Sequence, residues 1–290
     1  MKHFQQLIFS FFALLLTAGL AHADPALVRI DDEDTTIYVL GTFHLLPPEA
    51  VWRTSAVDAA LRETDVIYFE ADVWSGGDEA MMGLVQAHGF NTPDAPLSSQ
   101  MSAEEWQLVS TYSASLGLPP ANLEAFRPWF AAVTFGVVAA MAEGYDPNSG
   151  VDVQLYTQAS AEGRELRFFE TADQQIRFFA DIPSDVQTEM LVQTADQGKN
   201  FAAEIEGLLS AWINGDLERL NEIANLSLQA SAPELHEALI TNRNQTWAVE
   251  LNELMDAPGV YFVAVGAGHL PGDEGVIELM RARGFNVVVN

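Results

Sequence analysis

Histidine is scarce in this chain, and two of its six copies close strings of one form: Gly41-Thr42-Phe43-His44 and Gly266-Ala267-Gly268-His269. Each string follows a β-rich apolar run, Thr35 to Leu40 in the first case and Val260 to Val265 in the second. Imidazoles just past the carboxyl ends of strands stand where open α/β sheets bind ligands. A third run, Asp65 to Phe69, leads into Glu70 and Asp72, which would reach the same edge. Two imidazoles with one or two carboxylates make a ligand set for a borderline divalent ion such as Mn, Co, Zn or Fe. Such an ion acidifies a bound water and polarises a carbonyl, and a neighbouring carboxylate would serve as general base. Each residue also has a plainer use: His44 as a helix cap, Glu70 as a solvated strand end.

Two further places carry candidate chemistry. Glu170 follows the strand-like stretch Arg164 to Phe169, and Gln174 lies one turn later on the same face of the helix expected to begin at Glu170; the pair reads equally as a capped helix start. Arg243-Asn244 lies in an amphipathic helix whose other charges are mostly acidic. There it would clamp a carboxylate or a carbonyl, or bridge Glu70 or Asp152 structurally. His88 and His236 have no comparable context and read as surface residues.

These residues need elements to hold them. Pro47 and Pro48 suit the first turn of a helix running through Val51, Val57, Ala60 and Leu61, so that strand, turn, helix and strand form a βαβ unit. Near the C-terminus the plan repeats, with a helix from about Asp273 to Arg283, a stop at Gly284 and a closing strand from Phe285 to Val289. If strands 35–40 and 260–265 are neighbours, His44 and His269 share a crevice. Between the units the pattern is mostly helical: a capping box at Ser102 and Glu105, an apolar helix from Pro128 to Met141, and another led by Gly150-Val151-Asp152. The expectation is an α/β fold whose central, mainly parallel sheet is built from two related strand-GxxH-helix-strand units, with a large, mostly helical insertion over 78–256.

Composition narrows the function classes. With no cysteine, disulfides, thiolate ligands and a Cys nucleophile are excluded. Lys and Arg number 13 against 41 acids, a net charge of -28, so nucleic acid and anionic headgroups are repelled. Residues 1–23 read as a cleaved signal peptide, with Lys2, an apolar run from Leu7 to Leu20 and Ala21-His22-Ala23; 24–290 would be a single domain with no transmembrane segment, periplasmic or secreted. No G-x-S-x-G elbow, P-loop, dinucleotide fingerprint or H-E-x-x-H occurs.

With these residues laid out, the chain resembles the TraB/GumN family, related to the Tiki metalloproteases. The matching pieces are Val39-Leu40-Gly41-Thr42-Phe43-His44, Phe69-Glu70-Ala71-Asp72, Gly150-Val151-Asp152, Phe169-Glu170-Thr171 with Gln174, Asn242 to Ala248, and Val263 to Leu270 with Gly272 and Gly275. The resemblance implies a fold similar to the erythromycin-esterase and ChaN group. It also implies metal-dependent peptide-bond hydrolysis, on a peptide or small-molecule substrate, needing His44, His269 and Glu70, with Asp152, Glu170, Arg243 and Asn244 as further site residues. The ChaN-like relatives imply an alternative, a non-catalytic iron- or haem-binding protein.

Overall fold

A computed structural model describes residues 24–290; the expected signal peptide lies outside the described residues. Six strands form one sheet in the order β4-β3-β5-β2-β1-β6. They are β1 (Leu27–Asp31), β2 (Thr35–Thr42), β3 (Val66–Asp72), β4 (Glu165–Thr171), β5 (Gly259–Gly266) and β6 (Asn286–Val289). β2, β5, β3 and β4 pair in parallel, and β1 alone runs against its neighbours. The mainly parallel α/β sheet is thus as expected, while β1 is a strand the sequence pattern did not announce.

The two G-x-x-H strands do lie side by side, in register from Thr35↔Gly259 to Thr42↔Gly266. β5 therefore separates β2 from β3, and each strand-helix-strand unit spans intervening strands. Alternation sorts their side chains between two cores. Leu40, Phe69, Phe262 and Ala264 pack on one face with Val57, Ala60 and Leu61 of the Ser55–Glu63 helix. Ile37, Val39, Val263 and Val265 pack on the other with Val276, Ile277 and Met280 of the Val276–Ala282 helix. The two crossovers leave β2 and β5 toward opposite faces and open a crevice at their carboxyl ends, where ligands bind in such sheets.

Three boundaries differ from expectation, the first being the C-terminal helix, which begins at Val276 rather than near Asp273. Pro47 and Pro48 open no helix: Leu46 bridges to Asp146, with the Asp146 N–H donating to the Leu46 carbonyl at 2.9 Å. The helix waits for Thr54, whose hydroxyl accepts from the Val57 N–H at 3.2 Å. Glu170 starts no helix either; it stays in β4, and Thr171 caps the Ala172–Ala180 helix in a reciprocal box with Gln174. Apart from β4, the elements from Gly77 to Leu254 are helical, including the Pro128–Ala142, Val151–Ala161, Phe201–Ile213 and Asn242–Leu254 helices. No helix of the described residues is long and apolar enough to cross a membrane.

Candidate active site

The glycines of the two motifs explain why they recur. A Cβ on Gly41 would lie 2.9 Å from Ala267 Cα, so the two turns pack backbone to backbone. The Trp212 indole donates to the Gly41 carbonyl at 2.8 Å and fastens the first turn. At Gly266 the backbone N–H donates to Glu70 Oε2 at 2.8 Å, and a Cβ would stand 3.2 Å from that oxygen. Glycine there lets the turn close on a carboxylate.

The histidines after these turns are not equivalent. His269 ends a short 3₁₀ turn and is buried under Trp247, whose ring centre is 4.5 Å from its own. Its Nδ1 lies 2.7 Å from Asn244 Oδ1. The Asn244 amide NH₂ donates to the carbonyls of His269 (3.3 Å) and Glu274 (2.8 Å), which makes Oδ1 an acceptor and places the proton on Nδ1. Nε2 then accepts from Arg243 Nη1 at 3.1 Å. Burial, with Arg243 and His44 nearby, overrides the pull of Glu70 and lowers this imidazole to about 3, so it is neutral. Asn244→Leu, by stranding the buried Nδ1–H, should cost about 1–3 kcal/mol, read from denaturant unfolding.

His44 sits in the loop beyond β2 with 57% of its side chain open to a cleft. Nδ1 lies 3.2 Å from Asp152 Oδ2, at the first turn of the Val151–Ala161 helix. Nε2 has no partner among the described residues. Burial in the cleft opposes a charge, but the hydrogen bond and field of Asp152, helped by Glu70, outweigh it and raise the imidazole to about 9. Gly150 makes the pairing possible, since the Val151 N–H donates to the Phe43 carbonyl and a Cβ on Gly150 would stand 2.3 Å from His44 O. Gly150→Ala should therefore push the loop away, destabilise the fold by roughly 1–3 kcal/mol and return His44 toward the ordinary imidazole range. Thermal unfolding and an imidazole titration check both effects.

Between the histidines lies a buried network centred on Arg243. Its Nε and Nη2 grip Glu170 at 2.8 and 2.9 Å, Nη2 also reaches Glu70 Oε1 at 2.5 Å, and Nη1 serves the Leu239 carbonyl at 3.0 Å and His269. A guanidinium has five N–H groups, and all five are used. Arg243 is thus a bridge between two carboxylates, with no donor left for a ligand. Its ring-like plane lies 4.8 Å from Trp247 and 5.0 Å from Phe178. Burial works against a charge on Glu70, but Arg243 and both histidines hold its carboxyl well below the usual range. Glu170, sharing the same guanidinium and facing Glu70, is pushed up by burial. Trp247 Nε1 donates to it at 3.0 Å.

The fold brings His44, Glu70, Arg243 and His269 to one cavity of about 730 Å³, with Asp152, Glu170 and Asn244 immediately behind. Asp72 does not join them: its carboxylate accepts from the Ser75 N–H at 2.9 Å and closes a turn. Gln174 is spent on its helix cap, and the neighbouring Gln175 reaches the site instead, donating to Glu70 Oε1 at 2.8 Å; its place on the inner face of the short helix is the signal that would have found it. His236 is buried rather than exposed, with Nδ1 3.4 Å from Thr241 Oγ1. His88 is partly covered and pairs with Asp173 at 3.1 Å.

The arrangement does not fit the three-residue metal set. Among the described residues no group of three or more His, Asp or Glu is placed to hold an ion. The reason is Arg243: it takes the His269 Nε2 lone pair, and Glu70 Oε1 and Oε2 already accept from Arg243, Gln175 and Gly266. An ion between these groups would have to displace the guanidinium.

Fold and site define a class: an α/β domain with a histidine-bearing pocket at the carboxyl edge of its central parallel strands. The chain matches the model of the TraB/PrgY/gumN family over residues 26–289 and belongs to that family. It is 24% identical over 244 residues to the uncharacterized protein YbaP of Escherichia coli K12, covering 84% of this chain and 87% of that one. An uncharacterized protein of Treponema pallidum is 24% identical over 284 residues, covering 92% of this chain and 83% of that protein. No solved structure matches the chain.

Proposed function

We propose that this chain is an exported hydrolase in which His44, oriented by Asp152, moves the proton between water and leaving group. The observation that carries this reading is the position of His44 between two cavities. One is the 730 Å³ pocket; the other, about 160 Å³, is lined by Thr42, His44, Glu70, Asp152 and Gln175. The smaller one exceeds the roughly 10–15 Å³ that one water needs and has polar groups on its wall, so it has room for water. His44, whose Nε2 has no partner among the described residues, thus lines both a place for an organic group and a place for water. Asp152 fixes the tautomer and ring direction, and strengthens His44 as a base. Glu70, Arg243, Glu170 and His269 form a fixed floor that holds charge in place around the reacting bond. Export is supported by the leader-like pattern of residues 1–23.

The test is hydrolysis of peptide amides and uncharged esters by the purified chain, with and without added Mn or Co. The reading expects turnover without added ion and its loss in His44→Ala. Turnover that survives this substitution would overturn the assignment of His44. Turnover that requires the ion would mean Arg243 leaves its partners, and the fixed floor would be wrong.

A further inference from the structure

The hydrolase reading leaves open what enters the larger pocket, and the pocket walls answer in chemical terms. On the Phe201–Ile213 helix, Phe201, Ile205 and Leu208 lie on one face at helical spacing and all line the cavity. Phe179 and Trp129 face them from two other helices, and Ile240 closes the wall beside Arg243. Among the lining residues of the Phe201–Ile213 helix, Glu204 alone is charged. A volume near 730 Å³ is that of a site for a drug-sized ligand.

Charge decides what the ligand carries. Arg243 is the only Lys or Arg among the lining residues, and its five N–H groups are used within the protein. His44, the other cation available, is already paired with Asp152. Around these two stand Asp152, Glu70, Glu170 and, on the wall itself, Glu204. A ligand carboxylate or phosphate would find one free donor, His44 Nε2, and would meet four carboxylates against two cations, in a chain of net charge -28.

Resting on the hydrolase reading for which site is meant, we propose that the pocket takes a large apolar group carrying an uncharged or cationic polar end, and rejects its anionic counterpart. Three probes sharing a ten-carbon chain test this: decanamide, decyltrimethylammonium and decanoate, each below its micelle concentration, titrated calorimetrically into the full chain. The uncharged and cationic probes are expected to bind about tenfold or more tighter than decanoate, a gap of at least about 1.4 kcal/mol. Leu208→Trp, which fills the cavity, should weaken decanamide by at least about tenfold; Phe179→Asp reads the same wall if that variant does not fold. Decanoate binding as tightly as decanamide, no binding of any probe, or unchanged binding in a folded wall variant would each overturn the proposal. Equilibrium binding needs no turnover, so failure here and failure of the hydrolase reading are separately visible.

Discussion

Arg243→Met is expected to destabilise the fold by about 3–5 kcal/mol, the range for breaking a buried ion pair from one side. The guanidinium holds Glu70 and Glu170 together within a site where all three side chains are largely buried. Methionine fills much of the volume but leaves two carboxylates facing each other without a counter-charge. The loss should depend on pH in a stated direction. In the native protein the Glu70 pKa lies below its ordinary value of 4.5, so its ionised form contributes stability that is present above that value and lost as pH falls through it. In the variant, burial and mutual repulsion favour the protonated forms, so the variant suffers most when both must ionise. The difference in unfolding free energy should therefore be largest near neutrality, shrink as pH falls toward 4.5 and the variant's carboxyls protonate, and shrink further below 4.5 as the native pairing is lost. Urea unfolding of both proteins across that range checks it, and an undiminished difference in acid would contradict the account of the network.

His44→Ala should cost less stability than Arg243→Met while removing the proposed hydrolysis. The His44 side chain is 57% open and its single polar bond, to Asp152, is partly exposed, so the pairing that raises His44 to about 9 is worth about 1–2 kcal/mol near neutrality after solvent screening, and is lost as pH rises through 9. Loss of a general base lowers kcat/KM by about 10²–10⁴. Because Asp152 raises His44 to about 9, its basic form is the minor one at neutrality. The rate should climb with pH and level off near 9, and Asp152→Asn should move that limb toward the ordinary imidazole value of 6.5. A rate that falls over this range would reverse the role, making His44 a proton donor.

Much of this site was legible in the residues, for identifiable reasons. β-branched runs ending in glycine marked β2 and β5, and parallel pairing of the two brought His44 and His269 to one edge. Glu70 followed because β3 ends there. Less visible was what side chains do once buried. Arg243 suggested a ligand clamp or a bridge, and only the geometry of Glu70, Glu170, Leu239 and His269 reveals that every donor is committed. The motif symmetry also misled: the same G-x-x-H string buries one ring under Trp247 and leaves the other open, because the chain after His44 runs to the Leu46–Asp146 bridge while His269 ends a 3₁₀ turn. Gln174 drew the eye as the capping partner, while Gln175, four residues before Phe179 and so on the same helix face, is the one that reaches the site. The short strand β1 escaped notice because its alternation is brief, and its place is secured by pairing on both sides.

One histidine is open and held as a cation by Asp152, while the other is buried and neutral. Nitrogen-detected NMR titration of the imidazoles, assigned through His44→Ala and His269→Asn, measures this without any substrate. His44 should titrate near 9 and His269 should hold its proton on Nδ1 and stay neutral down to about 3. Two rings titrating together near 6.5 would contradict it.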